Sequence, residues 1–499
     1  MIQKNLKELF SIWIKRNKIP SCTVENLSLD SKKKGKNSLF FAIKGSNLDG
    51  RNYIQEAISN GSIAIAIDSN CIDVPHIITI NKIYFIYISK LKKKISKISE
   101  IFYDFPKKNI KIVGITGTNG KTTISNMLAK WVNLLGIKSA FFGTLGKGIV
   151  QKKIFPTKNT TESAINMQKF LYRMKKKKVK FVSIEVSSHS LQQYRVSAIK
   201  FDAVILSNIS HDHFDFHKNF QNYKDSKFFL FRKIFSKNKI ISIDESSGIE
   251  IAKMVKNPVV VSKKKFFLCK KYKYWITLDS SKKSSKYTKI FFSSYFGKGI
   301  LKCNFLGSFN FTNLLLSFAT LVKLGYSFKK LVHFSKYLLP VPGRMEKIDN
   351  KNFPSFLIDY AHNPKSLKNL LLFARNNCNK NVWCIFGCGG NRDKQKRPKM
   401  AKIAEKYSNF VIVTSDNPRN ERISSIFFDI IKGFRNLKNI YFFFKRKKAI
   451  EFAFFKAEKN DLIVVSGKGN EKFQIIKNKK IYFSDKKIVE NLLKKNDQI

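Results

Sequence analysis

The chain has 499 residues, a formal charge of +61 from 95 Lys and Arg against 34 Asp and Glu, and a hydrophobic content of 43% with 46 Phe. Such a length exceeds one compact core and implies roughly two to four domains. A basic chain ordinarily points to nucleic acid or an anionic membrane, but here the excess is Lys rather than Arg and runs along the whole length. Ile, Asn, Phe and Tyr are plentiful while Gly (23) and Pro (11) are scarce, a pattern of AT-rich codons that argues against a specific nucleic-acid partner.

In chain order, β-branched runs at 38–43, 62–67 and 76–80 alternate with helical stretches and predict a small α/β unit. A Lys-rich helical segment at 91–103 leads past Pro106 to the run Val113-Gly-Ile-Thr-Gly-Thr-Asn-Gly-Lys-Thr-Thr123. Here a strand stops at a glycine-rich loop and a helical pattern opens with Ile124, Met127, Leu128 and Trp131. Backbone N–H groups at such a helix start cradle phosphate, Lys121 reaches terminal phosphates, and the Thr122 hydroxyl suits Mg²⁺. The general phosphate loop wants Gly five residues before Gly120, where this chain has Ile115; the nearer Gly114 and Gly117 suggest a specialised variant.

Strands at 112–115, 181–186, 203–207 and 240–243 with helices between them predict a parallel sheet covered on both faces, with ligands at the strand ends. Glu185 ends one of these strands, where a carboxylate is placed to hold Mg²⁺ directly or through water. The loop 207–217 (Ser-Asn-Ile-Ser-His-Asp-His-Phe-Asp-Phe-His) carries three His and two Asp, which fits either a metal site or a hydrogen-bonded structural loop. The stretch 266–296 reads as antiparallel excursions, and the charge-free stretch 303–322, interrupted by Asn304, Gly307, Asn310 and Asn313, reads as a buried helix rather than a membrane span.

Pro340 and Pro342 bracket a boundary, after which strands at 355–358, 382–386, 410–414 and 461–465 alternate with helices. Each is followed by a polar loop: Asp359-Tyr-Ala-His-Asn-Pro364, Gly387-Cys-Gly-Gly-Asn-Arg-Asp-Lys394, Asp416-Asn-Pro-Arg419 and Gly467-Lys-Gly-Asn-Glu471. Four such loops at strand carboxyl ends converge on one rim. The seven cysteines (22, 71, 269, 303, 378, 384, 388) form no CxxC pair and have no His at zinc spacing, and the start lacks an apolar signal core. A soluble, cytoplasmic chain without membrane insertion is expected.

The ordered series GTNGKTT, EVSSHSL, NISHDHFDFH, GSFNFTN, PGRMEKI, DYAHNP, FGCGGNRDKQKRP, DNPRNE and GKGNE resembles the Mur ligases of peptidoglycan synthesis, above all the branch that adds the third residue of the peptide. The match runs from about Leu29 to the carboxyl end. It implies an α/β fold of three domains: a small UDP-substrate domain over 1–105, a central P-loop ATPase domain with a mostly parallel sheet over 106–339, and a Rossmann-like amino-acid domain over 340–499. It also implies a monomer, with ATP as substrate and Mg²⁺ as cofactor. In the implied reaction, ATP phosphorylates the D-glutamate carboxylate of UDP-MurNAc-L-Ala-D-Glu, and the amine of a diamino acid displaces phosphate through a tetrahedral intermediate.

By motif, the resemblance implies ATP binding by Gly117, Thr118, Asn119, Gly120, Lys121, Thr122 and Thr123, with Asn310, Asn313, Arg344, Asp359 and His362 around the nucleotide. Metal ligation falls to Thr122, Glu185, His213 and Lys227, the last as a carbamate, because a bare ammonium would repel Mg²⁺. Lys121, Glu185, His213 and Lys227 are the implied catalytic set. The UDP-dipeptide is expected at Leu29, Ser31, Ser46, Asn47, Leu48, Asn159, Thr160, Thr161, Ser187, Gln193 and Arg195. Two departures stand out: Glu162 where Gly is usual, and His211 where Arg is common.

The resemblance places the amino acid at Arg392, Asp416, Asn417, Pro418, Arg419, Gly467 and Glu471. Meso-diaminopimelate differs from lysine by a distal carboxylate, and the planar fork of Arg419 suits it. Lysine would leave a buried guanidinium unpaired, at a cost on the order of 3 kcal/mol. The alternatives are the same reaction with L-lysine, a folylpolyglutamate-type ligase, which would lack the N-terminal domain and the DNPR loop, and a nucleic-acid ATPase, which would want clustered Arg and aromatic platforms. A degenerate copy is opposed by the intact Lys121, Glu185, His213, Lys227 and Arg419.

Overall fold

The computed structural model describes residues 2–45, 48–69, 76–107, 109–232, 235–264, 266–284, 286–477 and 479–496. The chain divides into two compact units, the first of residues 1–116, 136–205 and 226–239, the second of residues 117–135, 206–225 and 240–499.

The first unit includes the short pair Lys4–Asn5 and Thr23–Val24 and two larger sets of strands. Asn26–Ser28, Ser38–Ala42, Ser62–Asp68 and Ile83–Ile88 run parallel in that order, and His76–Ile80 closes the edge antiparallel. Leu39, Phe41, Ala64, Ala66, Ile86 and Ile88 point to one core, against the buried face (Leu91, Ile95, Ile98, Phe102) of the helix Leu91–Phe102. In the second sheet, Lys111–Thr116, Phe181–Glu185 and Ser139–Gly143 are parallel neighbours, and Gly146–Ile149 turns back antiparallel at the edge. Gly114 is required here by packing: a Cβ on it would stand 2.9 Å from the Phe201 ring. Ile115 is wholly buried in the strand, so the phosphate loop begins two residues later, at Gly117.

In the second unit, Val259–Ser262 and Tyr274–Lys283 extend a parallel array, and Thr288–Ser294 and Gly297–Cys303 fold back as an antiparallel meander. The expected excursion over 266–296 thus begins with a short helix, Phe266–Lys270, and reaches Cys303. The charge-free stretch is the end of a strand followed by the buried helix Phe309–Lys323. Among the described residues, no helix is long and apolar enough to cross a membrane.

A six-stranded sheet has the order Glu346–Ile348, Ser355–Asp359, Leu462–Ser466, Val382–Phe386, Phe410–Thr414 and Ile440–Phe443, parallel except for its first strand. Its one face packs on helices Pro364–Arg375, Lys396–Tyr407 and Ile423–Ile431, the other on Arg446–Lys456 and Asp485–Asn496. Alternate strand residues feed the two cores: Leu357, Cys384 and Val464 one way, Phe356, Ile385 and Ile463 the other. The C-terminal helix is tied by an enclosed ion pair, Arg446 Nε to Asp485 Oδ1 at 2.8 Å and Nη2 to Oδ2 at 2.9 Å, both side chains fully buried.

Removing one partner of that pair leaves a buried charge uncompensated. Arg446→Met should lower the unfolding free energy by about 3–5 kcal/mol, read from a urea titration by tryptophan fluorescence. A loss no larger than that of an exposed pair, about 1 kcal/mol or less, would contradict this role.

Candidate active site

The phosphate loop precedes the helix Lys121–Leu134, whose N-cap, Gly120, has φ +88°. Gly117 has φ +144°, and a Cβ there would lie 1.9 Å from Ser207 Oγ; glycine is the residue that tolerates both conditions. The loop is laced to residues 207–210. Thr118 N donates to Asn208 O at 2.8 Å, Asn119 N donates to Asn208 Oδ1 at 3.0 Å, and Ser207 Oγ and Asn208 Nδ2 donate to Asn119 O. Thr118 Oγ1 accepts from Ser210 N at 2.9 Å and pairs with Tyr223 OH at 3.0 Å. Lys121 Nζ folds over the loop, donating to Gly117 O at 2.8 Å and Thr118 O at 2.9 Å.

Beside the loop lies a cleft of about 260 Å³. Of the expected nucleotide residues, Asn119, Gly120, Thr123, Asn310, Asn313, Arg344 and Asp359 line it. So do residues that the motifs left unassigned, among them Ser207, Asn208, Asp244, Lys263 and Tyr360. Asp244 is held by Ser262 Oγ (2.6 Å), Lys263 N (3.0 Å) and Thr312 Oγ1 (3.2 Å). Arg344 Nη2 donates to Thr122 Oγ1 at 3.2 Å, and its guanidinium lies 4.2 Å from the centre of the Tyr360 ring. Asp359 accepts from Met345 N (2.7 Å) and Ala361 N (2.8 Å); burial raises its carboxyl above the ordinary range, with Arg344 and the two N–H groups opposing.

His362 and His213 both face the buried Asp212, at 3.7 and 3.9 Å. Burial opposes the Asp212 charge, but His213, then His362 and Lys396, hold it well below the usual carboxylate range. Asn363, the N-cap of helix Pro364–Arg375, also donates to Asp212 Oδ2 (3.2 Å) and Asn119 Oδ1 (3.1 Å).

The structure also gathers the expected amino-acid residues. Arg419, half-buried at φ +51°, donates from Nη1 to Gly390 O (2.9 Å) and Asn417 O (3.3 Å). Burial, then the neighbouring Arg392, pushes its guanidinium below the ordinary value. Its backbone is pinned by the hairpin Phe473–Ile476 and Lys479–Tyr482: Arg419 N donates to Ile475 O, and Lys477 N to Arg419 O. Asn417 Nδ2 donates to Glu471 Oε2 at 3.0 Å, and a Cβ on Gly467 would come within 2.7 Å of Asp416 Oδ2. Pro418 O abuts Gly390 so closely that no side chain fits there. The motifs did not single out Lys468, which is fully buried and donates to Glu471 Oε2 (2.8 Å) and Asn417 Oδ1 (3.2 Å).

In the first unit, one cluster forms around the end of strand Phe181–Glu185. Glu185, 2% exposed, accepts from Thr144 N (2.8 Å) and Thr144 Oγ1 (3.2 Å). Thr161 Oγ1 donates to Glu185 O and accepts from Ser187 N; Thr160 pairs with Thr144. Arg195 donates to Thr161 O (2.6 Å) and to Gln193 Oε1 (3.0 and 2.6 Å), and Asn159 is exposed. Leu29, Ser31 and Leu48 are carried by loops of the N-terminal sheet, with Ser31 Oγ donating to Glu56 Oε2 at 2.5 Å. Ser46 and Asn47 lie outside the described residues.

Known proteins match this architecture. A family model of the Mur ligase middle domain matches residues 115–321, and one of the Mur ligase glutamate ligase domain matches residues 343–469. The UDP-N-acetylmuramoyl-L-alanyl-D-glutamate–2,6-diaminopimelate ligase of Buchnera aphidicola subsp. Acyrthosiphon pisum (strain APS) is 42% identical over 497 residues, covering 98% of this chain and 99% of its own. The chain belongs to the Mur ligase family. The protein of the same description from Haemophilus influenzae (strain PittEE) is 39% identical over 493 residues, 98% of this chain and 100% of its own. A solved structure so described has 27% identity and a TM-score of 0.67 over 99% of both chains. As a Mur ligase with these relatives, the chain is an ATP-dependent ligase of three-domain α/β architecture.

Against the Mur ligase pattern, both departures have local partners. Glu162 takes an ion pair from Lys147 at 3.0 Å and a weaker bond from Lys158 N at 3.4 Å, which ties the loop 157–162 to strand Gly146–Ile149. His211 Nε2 meets Asp393 Oδ2 at 2.9 Å, and its ring lies 3.9 Å from that of Phe214 at a tilt of 38°. Lys227 is 1% exposed, so it is not the surface lysine that a Lys-rich composition would supply. Among the described residues, no three His, Cys, Asp or Glu side chains group to hold a metal ion. Thr122 in the second unit and Glu185 in the first, 6% and 2% exposed, each carry an oxygen donor of the hard type that Mg²⁺ prefers.

Gly117→Ala forces a Cβ onto Ser207 Oγ at strained backbone angles. It should weaken ATP binding by about ten- to a hundredfold in calorimetry, whereas Gly136→Ala, with nothing within 4 Å of its Cβ, should leave ATP affinity unchanged. Equal affinities in the two variants would contradict the phosphate-loop assignment.

Proposed function

We propose that the chain joins an amine of meso-2,6-diaminopimelate to the D-glutamate carboxylate of UDP-N-acetylmuramoyl-L-alanyl-D-glutamate, converting ATP to ADP and phosphate. The family and the relatives' names support the reaction. The observation that carries the amino acid is Arg419: a half-buried guanidinium on two carbonyl oxygens, beside Arg392 and below its ordinary proton affinity. A distal carboxylate answers the planar fork. With Arg392, Asp416, Asn417, Pro418, Gly467 and Glu471, it forms the amino-acid pocket.

The residues then divide the work. Gly117 to Thr123, at the positive end of a helix, hold the ATP phosphates, and Lys121 adds its positive charge. Asn310, Asn313, Arg344, Asp359 and His362 surround the rest of the nucleotide. In the first step the substrate carboxylate attacks the γ-phosphorus, the bond to the β-phosphate oxygen breaks, and ADP leaves. In the second, the amine attacks the acyl carbon, loses a proton, and the C–O bond to phosphate breaks. Fixed positive groups stabilise the charge gathered between two anionic reactants.

Thr122, Glu185, His213 and Lys227 as its carbamate would hold Mg²⁺, which, when bound, neutralises phosphate charge as a Lewis acid. A carbamate replaces the ammonium with an anion, the sign of charge that a divalent cation would compensate. Leu29, Ser31, Ser46, Asn47, Leu48, Asn159, Thr160, Thr161, Ser187, Gln193 and Arg195 receive the UDP-dipeptide, the domains dividing after 105 and 339.

The test is ADP release with Mg²⁺-ATP and the UDP-dipeptide, comparing meso-diaminopimelate with L-lysine. Turnover is expected with diaminopimelate alone, and Arg419→Lys should raise its KM by roughly a hundredfold. Turnover of the wild type with lysine instead would overturn the amino-acid assignment.

A further inference from the structure

The loop Asp359–Asn363 gives the nucleotide cleft Asp359 and places Tyr360 next to it, a residue the motifs passed over. The Tyr360 ring lines the cleft. Arg344, which holds Thr122 Oγ1 at 3.2 Å, lies 4.2 Å from the ring centre on that side, and the His362 ring meets it edge-on at 4.9 Å. The hydroxyl points the other way and donates to Glu471 Oε1 at 3.2 Å. Lys468 and Asn417 take the other carboxylate oxygen, Oε2, at 2.8 and 3.0 Å. Gly467 N donates to Asp359 O at 3.0 Å, which fixes the Glu471 loop to the strand end that carries Tyr360. Burial, then the Glu471 charge, keeps the phenol protonated and therefore a donor.

We propose that Tyr360 is a positioning residue shared by the two sites, its ring seated in the nucleotide cleft under Arg344 while its hydroxyl aims the Glu471 carboxylate at an ammonium group of the diamino acid. The proposal rests on the amino-acid pocket described above. A carboxylate with one oxygen fixed by Lys468 and Asn417 can still turn about that anchor. The tyrosine hydroxyl supplies the second point that sets its plane, and a carboxylate so fixed meets an ammonium without losing further rotational freedom. The phenyl ring supplies apolar surface to the nucleotide side, a contact that phenylalanine would keep.

Tyr360→Phe separates these roles. It should raise the KM for the diamino acid roughly tenfold, the effect of losing one hydrogen bond to a charged group, with the KM for ATP and the thermal unfolding midpoint held near wild type. Tyr360→Leu, which removes the ring as well, should raise both KM values. In a Glu471→Gln background, Tyr360→Phe should add no further loss of amino-acid binding, measured by calorimetry in the presence of a non-hydrolysable ATP analogue and the UDP-dipeptide. An unchanged KM for the diamino acid in Tyr360→Phe, a parallel rise in the ATP KM, or independent effects of the two substitutions would each overturn the proposal. Wild-type preference between meso-diaminopimelate and L-lysine judges the substrate assignment separately, and the Tyr360→Phe ratio is taken on whichever diamino acid the wild type uses.

Discussion

The second unit is organised around Asn119. Its N–H donates to Asn208 Oδ1, its carbonyl accepts from Ser207 and Asn208, and its side-chain oxygen accepts from Asn363. One residue of the phosphate loop thus fastens it to the loop following strand Ala203–Leu206 and to the cap of helix Pro364–Arg375. A glycine-rich loop left alone would sample many backbone states and lose entropy on each binding event. Here its conformation is set in advance by those bonds, so less entropy is lost on binding.

Charge explains much of what surrounds this knot. ATP and a UDP-linked dipeptide are both anionic, so a site that brings them together has to supply compensating positive groups before chemistry begins. Lys121, Arg344, Arg392, Arg419 and Lys468 come from separate segments of the chain, with Arg392 next to Arg419. Each is tethered: Lys121 to its own loop, Arg344 to Thr122, Arg392 to Asp215, Arg419 to Gly390 and Asn417, Lys468 to Glu471 and Asn417. The +61 net charge of the chain belongs to a different category, because exposed lysines at large separations are screened at physiological salt.

The parallel strands and the loops at their carboxyl ends were legible from composition and period, since β-branched runs ending in Gly, Asn and Asp are local signals. The Gly117–Thr123 loop was legible for the same reason. The role of Gly114 was not, because the Phe201 ring that forbids a side chain there is far off in sequence. Nor was the Tyr360–Glu471 bond, which joins loops 111 residues apart, or the hairpin at 473–482 that pins Arg419, whose short strands carry no strong alternation. Lys468 was hidden by its own chemistry, since a lysine in a Lys-rich chain gives no sign of being buried. The partners of Glu162 and His211 were equally invisible to pattern, and the structure supplies Lys147 and Asp393.

The central claim is that the carboxylate is activated by phosphoryl transfer before the amine attacks. It is tested most directly by labelling both D-glutamate γ-carboxylate oxygens of the UDP-dipeptide with ¹⁸O and analysing the phosphate released on complete turnover. The account predicts one ¹⁸O in the phosphate and one in the new amide. Phosphate free of label, with product formed, would contradict an acyl-phosphate route and the division of roles built on it.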